Sequence, residues 1–236
     1  MLEDISTRIF ADGADLDGIL ALADDPKIAG FTTNPTLMWK AGLIDYADFA
    51  QRLLERITTH PISFEVFADD PAEMRRQAEL ISGWGKNVYV KIPITTTSGE
   101  SMAPLVRELS EEGVQVNVTA MFTTAQVELI TAAVKDGAPS YQSVFAGRIA
   151  DAGIDPVPIM ARSVEIMAEA PQSELIWASP REILNVVQAN QVGCHVITVT
   201  HDLLAKLNSL GKDLDQFSLE TVQMFRRDAI AAGFTL

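Results

Sequence analysis

Residues 88–93 read Val88-Tyr89-Val90-Lys91-Ile92-Pro93, an apolar and β-branched run that contains one lysine. Such a run is typical of a buried strand, whereas lysine usually lies on solvated surfaces. Burial disfavours the charged form of an amine, and a neutral amine can attack a ketone to form a Schiff base. The alternative is a lysine that extends from the strand end to solvent. Taken alone, this stretch favours the alternative.

The residues on either side of this strand indicate helices, and the same alternation repeats along the chain. Met74, Ala78 and Ile81 precede the strand at helical spacing, and Leu105 and Leu109 follow it. The eight predicted strands are Thr7–Phe10, Ile28–Phe31, Ile62–Val66, Val88–Ile92, Gln115–Val118, Tyr141–Phe145, Leu175–Trp177 and Val196–Val199. The other predicted helices contain Leu16–Leu20, Phe49–Ile57, Val127–Val134, Met160–Met167, Ile183–Val187 and Leu203–Leu207.

Eight strand–helix units without a linker-like segment predict an α/β fold, a single (β/α)8 TIM barrel that occupies residues 1–236 as one domain. An open doubly wound sheet is the competing fold, but no GxGxxG motif follows the first strand. Residues Ser218–Ile230 predict an additional C-terminal amphipathic helix. This helix would either cover the barrel or contact a neighbouring subunit.

Composition narrows the classes of protein and partner. The chain has 236 residues, 47% of them hydrophobic, and a formal net charge of −14, which argues against binding to nucleic acid or to an anionic membrane. An anionic substrate would need a local basic pocket. Cys194 is the only cysteine, and the acidic N-terminus lacks an apolar signal region, so we expect a protein of the cytoplasm.

Polar residues stand at or just after most of the predicted strands. In a barrel of this type the carboxyl ends of all strands meet at one mouth, where catalytic groups lie. These residues are Asp12, Thr32, Thr33, Asn34, Glu65, Lys91, Asn117, Thr119, Ser143 and Ser179. Two carboxylates, a lysine and a threonine that converge from different strands are the groups that Schiff-base chemistry requires.

Each of these four residues has an expected role, and for Lys91, Asp12 and Thr119 there is also an alternative. Lys91 would be the nucleophilic amine. Asp12 would exchange a proton with a substrate hydroxyl; the alternative is a helix N-cap, which Asp15 fits better. Glu65 is flanked by apolar residues, so its side chain is predicted to point into the barrel, where Thr119 would help it to hold a water. The alternative for Thr119 is an ordinary β-branched strand residue.

An anion site is predicted at Ser179-Pro180-Arg181, where a serine N-cap and a proline at the first helical position would expose backbone N–H groups beside an arginine. Arg148 follows the sixth strand and would converge on the same anion. The alternative for either arginine is a surface ion pair. Asn34-Pro35 repeats the cap-plus-proline pattern. His60, His195 and His201 are dispersed, so no metal and no other cofactor is expected.

At these residues the chain resembles the transaldolase family, including its short members and the fructose-6-phosphate aldolases. The resemblance runs over nearly the whole length and is specific because six motifs occur in order. They are Ala11-Asp12 with Asp15, Thr32-Thr33-Asn34-Pro35, Val90-Lys91-Ile92-Pro93, Asn117-Val118-Thr119 with Phe122 and Ala125-Gln126, Phe145-Ala146-Gly147-Arg148, and Ala178-Ser179 with Arg181.

The resemblance implies an enzyme of carbohydrate metabolism, in the pentose phosphate pathway, that moves a dihydroxyacetone unit from a ketose phosphate to an aldose phosphate. It makes Lys91 the Schiff-base lysine, Asp12 the acid/base for the C4 hydroxyl, and Glu65 with Thr119 the pair that positions a water. The implied substrate-binding residues are Thr33, Asn34, Asn117, Ser143, Phe145, Arg148, Ser179 and Arg181, the two arginines and Ser179 at the phosphate. A homo-oligomer is also implied.

The subtype depends on two positions. The fructose-6-phosphate aldolases of this family carry glutamine at the position of Glu65 and tyrosine at that of Phe145, so the chain resembles the true transaldolases. Protonation of the bound enamine should then be slow and transfer favoured. Three departures from the family pattern are a missing proline in Ser143-Val144-Phe145, the bulky Trp177, and Thr200-His201. Trp177 and His201 either pack structurally or reshape the pocket.

Three alternatives to a transaldolase that acts on sugar phosphates remain open from the sequence. The first is an aldolase that releases dihydroxyacetone. The second is a transaldolase with a sulfonated ketose donor, because arginines serve a phosphate and a sulfonate alike. The third is a barrel that binds sugar phosphates without turnover.

Overall fold

The computed structural model describes residues 4–235, in which eight parallel strands close into a barrel in chain order. The strands are β1 (Arg8–Asp12), β2 (Ile28–Thr32), β3 (Ile62–Glu65), β4 (Val88–Pro93), β5 (Val116–Met121), β6 (Ser140–Val144), β7 (Ser173–Trp177) and β8 (Val196–Thr200). The barrel closes where β1 pairs with β8, from Arg8 opposite Val196 to Asp12 opposite Thr200. The predicted (β/α)8 fold is confirmed.

Helices surround the strands. They are α1 (Leu16–Leu22), α2 (Pro35–Lys40), α3 (Tyr46–Arg56), α4 (Pro71–Ser82), α5 (Ala103–Glu111), α6 (Thr124–Val134), α7 (Ala146–Asp151), α8 (Pro156–Met167), α9 (Leu184–Gln191), α10 (His201–Leu204) and α11 (Leu214–Ala231), with a 3-10 turn at Leu207–Ser209. Two of these helices, α2 and α7, have six residues, and the sequence indicated only α2, through the Asn34-Pro35 pattern at its start. In the structure the Asn34 side chain caps α2 by accepting from the Leu37 N–H at 2.9 Å. Helix α7 is too short to show a helical period in sequence.

Alternation along the strands separates an outer core from an inner one. On β1, Ile9 and Ala11 belong to the cluster packed against the helices, whereas Phe10 packs inside the barrel with Tyr141 and Val196. Side chains two residues apart on a strand share a face. Polar residues with the same parity as these inner residues, such as Asp12, therefore point into the barrel mouth.

A local irregularity in β5 shapes this mouth. The pairing register of β5 with β6 shifts between Val118 and Met121, and Ala120 there has a φ of +59°. A bulge with one residue in the left-handed region re-aims the neighbouring side chains. Both Thr119 and Ala120 consequently line the same cavity.

Helix α11 extends the predicted Ser218–Ile230 segment by four residues at its start, where the Asp213 side chain caps it by accepting from the Gln216 N–H. None of its residues is buried, and Phe225 remains 64% exposed. The sequence left two alternatives for this helix, covering the barrel or contacting a neighbouring subunit. The exposure of the helix argues against the first alternative. Among residues 4–235, no helix combines the length and the apolarity needed to cross a bilayer.

Candidate active site

A cavity of about 500 Å³ opens at the carboxyl ends of the strands. Ten of the twelve predicted site residues line it: Asp12, Asn34, Glu65, Lys91, Thr119, Ser143, Phe145, Arg148, Ser179 and Arg181. The other two, Thr33 and Asn117, are buried next to it in the wall. The predicted residues at the mouth of the barrel come from seven of the eight strands or from the loops that follow them, and Thr198 and Thr200 of β8 line the same cavity.

Lys91 lies at the floor of the cavity with only 6% of its surface exposed. Its Nζ atom is 3.0 Å from Oε2 of Glu65, the residue directly opposite on β3, and donates to the main-chain oxygen of Thr33 at 2.8 Å. The alternative in which Lys91 extends from the strand end into bulk solvent is thus excluded. Removing one partner of such a buried pair leaves an uncompensated charge, which is strongly destabilising.

Asp12 occupies the same cavity and is held by hydroxyl groups. Thr32 donates its hydroxyl proton to Asp12 Oδ1 at 2.8 Å, and the Thr198 hydroxyl contacts the Thr32 oxygen. Because the single proton of Thr32 is used towards Asp12, Thr198 must be the donor in that second contact. The cap of α1 is Asp15, whose side chain accepts from the Gly18 N–H, so Asp12 has no capping role.

The pKa of Asp12 is raised, chiefly because burial disfavours the charged carboxylate. The positive charge of Lys91 and the hydrogen bond from Thr32 both act against this rise, while the negative charge of Glu65 adds to it. A carboxyl group whose pKa is raised in this way holds a proton more readily than an exposed aspartate does, which suits it to exchange a proton with a substrate hydroxyl.

Thr119 contributes a hydroxyl that lacks a protein partner among the residues the structure describes. It is only 2% exposed and lies on the wall of the cavity with Glu65. A buried hydroxyl without a hydrogen bond is energetically unfavourable. This hydroxyl is therefore available to a substrate or to a water.

Asn117 is fixed by hydroxyls on both sides. Its Nδ2 donates to Ser63 Oγ at 3.0 Å, and its Oδ1 accepts from Ser143 Oγ at 2.8 Å. Thr33 behaves differently, because its hydroxyl donates to the Ser63 carbonyl and only its own carbonyl reaches Lys91. The side chain of Thr33 thus stabilises the wall without facing the cavity.

The basic side of the cavity holds two arginines. The Arg148 guanidinium lies 5.3 Å from the ring centre of Phe145. Arg181 donates from Nε to both carboxylate oxygens of Asp151 at 3.0 Å and from Nη2 to one of them. These hydrogen bonds lower the pKa of Asp151. Arg181 therefore forms the ion pair that one interpretation predicted, and it also lines the cavity; binding of an anion by this arginine stays a prediction.

The predicted helix start at Ser179-Pro180 is wrong. Helix α9 begins at Leu184, and the side-chain oxygen of Asn185 accepts from the Arg181 and Glu182 N–H groups. Ser179 instead has a φ of +61°. A Cβ on Gly147 would lie 1.5 Å from the Ser179 oxygen, so this loop packs directly on α7. An anion here would meet arginine side chains rather than the end of a helix.

The two unusual residues of the sequence lie outside this cavity. Trp177 is fully buried in the outer core, between strands and helices. His201 is the first residue of α10 and packs beside Gly18, where a Cβ would come within 2.7 Å of its ring. Both positions agree with the packing interpretation.

Sequence reasoning gave no role to several residues at this site. Ser63 lies two residues before Glu65, and Thr198 two residues before Thr200, so each shares the inward face of its strand with a residue at the cavity. This alternation along the strands could have predicted both positions from the sequence. Lys40 also lines the cavity, from the last turn of α2. Tyr46 contacts the backbone of Glu65 from a helix distant in sequence, and no sequence pattern indicates that contact.

Known proteins match this chain over most of its length. The family model described as Transaldolase/Fructose-6-phosphate aldolase matches residues 9–235. A protein of Dehalococcoides mccartyi named "Probable transaldolase" is 37% identical over 201 residues, 85% of this chain and 89% of the relative. A protein of the same name from Thermoanaerobacter sp. (strain X514) is 35% identical over 85% of this chain and 88% of its own length.

A solved structure supports the fold. Dihydrodipicolinate synthase from Rhodopseudomonas palustris superimposes with a TM-score of 0.57 at 16% identity, covering 82% of this chain and 69% of that chain. A likeness at this identity concerns the barrel architecture alone. The family model goes further than the fold, because it matches residues 9–235, nearly the whole chain. The chain belongs to the transaldolase/fructose-6-phosphate aldolase family.

Proposed function

We propose that the protein is a transaldolase that transfers a dihydroxyacetone unit from a ketose phosphate to an aldose phosphate through an imine on Lys91. The observation that carries the proposal is the buried Lys91 Nζ, 3.0 Å from Glu65 Oε2 in a cavity that also contains Asp12. An amine, a proton acceptor beside it and a second carboxyl group are the parts that imine chemistry needs.

In the first half-reaction the Lys91 amine adds to the C2 carbonyl of the donor, and loss of water gives an iminium ion. Glu65 and the free Thr119 hydroxyl support the proton transfers and hold the water. Asp12 then takes the proton of the C4 hydroxyl. The C3–C4 bond breaks, its electron pair moves towards the iminium nitrogen, and an aldehyde leaves. The three-carbon unit remains on Lys91 as an enamine.

In the second half-reaction the enamine carbon attacks the carbonyl of an acceptor aldehyde, and Asp12 returns a proton to the new alkoxide. Water then adds to the iminium ion, and the amine leaves as the product ketose is released. Asn117 and Asn34 are suited to bind hydroxyls of the three-carbon unit, because each keeps an amide N–H that no contact within residues 4–235 uses. Phe145 lacks a hydroxyl that could protonate the enamine, which favours transfer.

The terminal anion of both sugars would lie between Arg148 and Arg181, with Ser179 alongside. Support comes from the charge distribution. The chain carries a net charge of −14, yet the upper wall of the cavity holds Lys40, Arg148 and Arg181. A local cluster of positive charge attracts an anion against an unfavourable overall field. Such a cluster can bind either a phosphate or a sulfonate, so an experiment has to identify the anionic group of the donor.

The experiment is a donor screen with and without an acceptor aldehyde. Fructose 6-phosphate, sedoheptulose 7-phosphate and a 6-sulfonated ketose are each incubated with the enzyme, and the products are resolved by mass spectrometry. A transaldolase forms a new ketose only when erythrose 4-phosphate or glyceraldehyde 3-phosphate is added. Rapid release of free dihydroxyacetone without acceptor would support an aldolase instead. Turnover of the sulfonated donor alone would support the specialised enzyme.

We also infer that the protein acts in the cytoplasm, in carbohydrate metabolism.

We further infer that the protein forms a homo-oligomer through α11. This helix exposes five large apolar side chains: Leu214, Phe217, Val222, Phe225 and Ile230. An isolated helix gains little stability without packing, so a second copy of the chain is the expected cover. Light scattering should show an oligomer that Phe225→Asp weakens; a monomeric parent protein would refute the inference.

A further inference from the structure

Tyr46, the first residue of α3, contacts Glu65 through both polar groups of the Glu65 main chain. The Glu65 N–H donates to Tyr46 Oη at 2.7 Å, and Tyr46 Oη donates to the Glu65 oxygen at 3.2 Å. The N–H and C=O of one strand residue point to the same side, where a neighbouring strand normally pairs with them. One phenol hydroxyl therefore replaces a strand residue at this position.

The replacement is needed because β2 ends too early. The β2–β3 pairing contains only two residue pairs, Phe31 with Ile62 and Thr32 with Ser63. Beyond Thr32 the chain turns into α2, so no strand lies beside Glu65 on that side. On the other side Glu65 pairs with Lys91. A buried backbone group left without a partner is destabilising, and Tyr46 removes that penalty.

Tyr46 is itself held in place by aromatic rings. Its ring centre lies 4.6 Å from that of Phe67, 5.6 Å from that of Trp84 and 6.0 Å from that of Phe64. Burial raises the pKa of Tyr46 above its ordinary value of 10.0, so the hydroxyl keeps its proton and remains a donor. The contact between α3 and the end of β3 is thus both oriented and persistent.

We propose that Tyr46 is a positioning residue for Glu65. By fixing both main-chain groups of Glu65 at the open edge of β3, it keeps the carboxylate directed at the Lys91 amine rather than turned out of the cavity. A misplacement of about 1 Å of a reacting group can lower a rate by about 100-fold. The inference rests on the proposed function, because it assigns the effect of Tyr46 to the carboxylate that serves Lys91.

A double-mutant cycle separates this role from a purely structural one. The variants are Tyr46→Phe, Glu65→Gln and their combination, and the measurements are kcat and KM for transfer together with Tm. We expect Tyr46→Phe to lower kcat by roughly 10- to 100-fold and to change KM by less than about threefold. In the Glu65→Gln background the same change should lower kcat by less than about twofold, because the carboxylate through which it acts is absent.

Two further variants control for packing. Tyr141→Phe removes another buried tyrosine hydroxyl, one layer below the cavity, where the ring packs on Phe10, and should leave kcat unchanged. Tyr46→Leu removes the ring as well as the hydroxyl. It should lower Tm more than Tyr46→Phe does and lower kcat equally, since both lack the hydroxyl.

The outcomes are distinct. A folded Tyr46→Phe protein with unchanged kcat would overturn the inference while leaving the proposed function intact. An equal loss of kcat in the parent and in the Glu65→Gln background would also overturn it, because Tyr46 would then act independently of the carboxylate. If Tyr46→Phe does not fold in plain buffer, the same cycle is run for all variants in an osmolyte that stabilises the folded state, and the same two results overturn the inference. A parent enzyme without any transfer activity would overturn both proposals.

Discussion

Glu65 and Lys91 are opposite each other on adjacent strands, and their side chains meet with 3.0 Å between Oε2 and Nζ. Lys91 is buried and Glu65 is mostly shielded in the barrel mouth, where the electrostatic attraction between the two groups is stronger than in water. The carboxylate can accept a proton from the lysine without any rearrangement of the backbone. This geometry connects the sequence around Lys91 to the chemistry proposed for it.

The double substitution Glu65→Gln and Phe145→Tyr should shift the enzyme from transfer of the dihydroxyacetone unit to an acceptor towards release of free dihydroxyacetone. The glutamine removes the charge beside Lys91, and the tyrosine brings a phenol next to the three-carbon intermediate, where it can protonate the enamine. We expect the ratio of free dihydroxyacetone to transferred product to rise by about tenfold or more. The ratio is measured from fructose 6-phosphate with and without acceptor. An unchanged ratio would contradict the assignment of the subtype.

Asp12→Asn should stabilise the fold at neutral pH. The pKa of Asp12 is higher in the folded chain than the ordinary value of 3.8, so the folded state binds this proton more tightly than the unfolded state. The stability that Asp12 contributes is therefore greatest below about pH 4 and is lost as the pH rises through the folded-state pKa. Urea unfolding should show a gain for Asp12→Asn that grows as the pH rises above about 4. A gain that is independent of pH would show that the burial of a charged carboxylate is not its cause.

Thr32→Val should move the acidic limb of the activity profile to higher pH. The Thr32 hydroxyl lowers the pKa of Asp12, so its loss raises that pKa further and less of the carboxylate is ionised at a given pH. The measurement is kcat/KM as a function of pH. Thr32→Ser keeps the donor and should retain the parent profile. Coincident limbs for the valine variant and the parent would show that Asp12 is not the titrating group.

Arg181→Gln should raise KM for a phosphorylated donor by about 10- to 100-fold, the range expected when a charge-assisted hydrogen bond is lost. The effect on kcat should be smaller because the anion lies away from the reacting carbonyl. Arg162→Gln, which removes a surface arginine paired with Glu165, is the matched control and should leave KM unchanged. Adding Asp151→Asn should recover part of the loss, since Asp151 would otherwise face the anion unpaired.

The barrel could be predicted from the sequence because its signal is repeated and local. Each strand alternates with a helix, and the apolar side chains of β4 and of α4 and α5 show the two periods clearly. Strand boundaries agree to within two residues except at the end of β5. That strand begins at Val116 rather than Gln115 and continues through the bulge to Met121, three residues past the predicted end. The bulge leaves no periodic trace in the sequence.

The site was predictable to the extent that it depends on the ends of strands. Strand-end positions were sufficient to place Asp12, Glu65, Lys91 and Thr119 at one mouth. The contacts made by Thr198 and Tyr46 depend on which strands close the barrel and where β2 ends, which sequence does not reveal. At Ser179 the local pattern was misleading, because serine followed by proline suits a helix start, whereas packing on Gly147 imposes a left-handed turn.

The most direct test is reduction of the enzyme with borohydride in the presence of fructose 6-phosphate, followed by peptide mass spectrometry. We expect a single three-carbon adduct on Lys91 that is absent in Lys91→Ala. The adduct should still form in Lys40→Met, the control variant, because Lys40 is a second lysine that lines the same cavity. An adduct on another lysine, or none in an enzyme that turns over the same donor, would contradict the account.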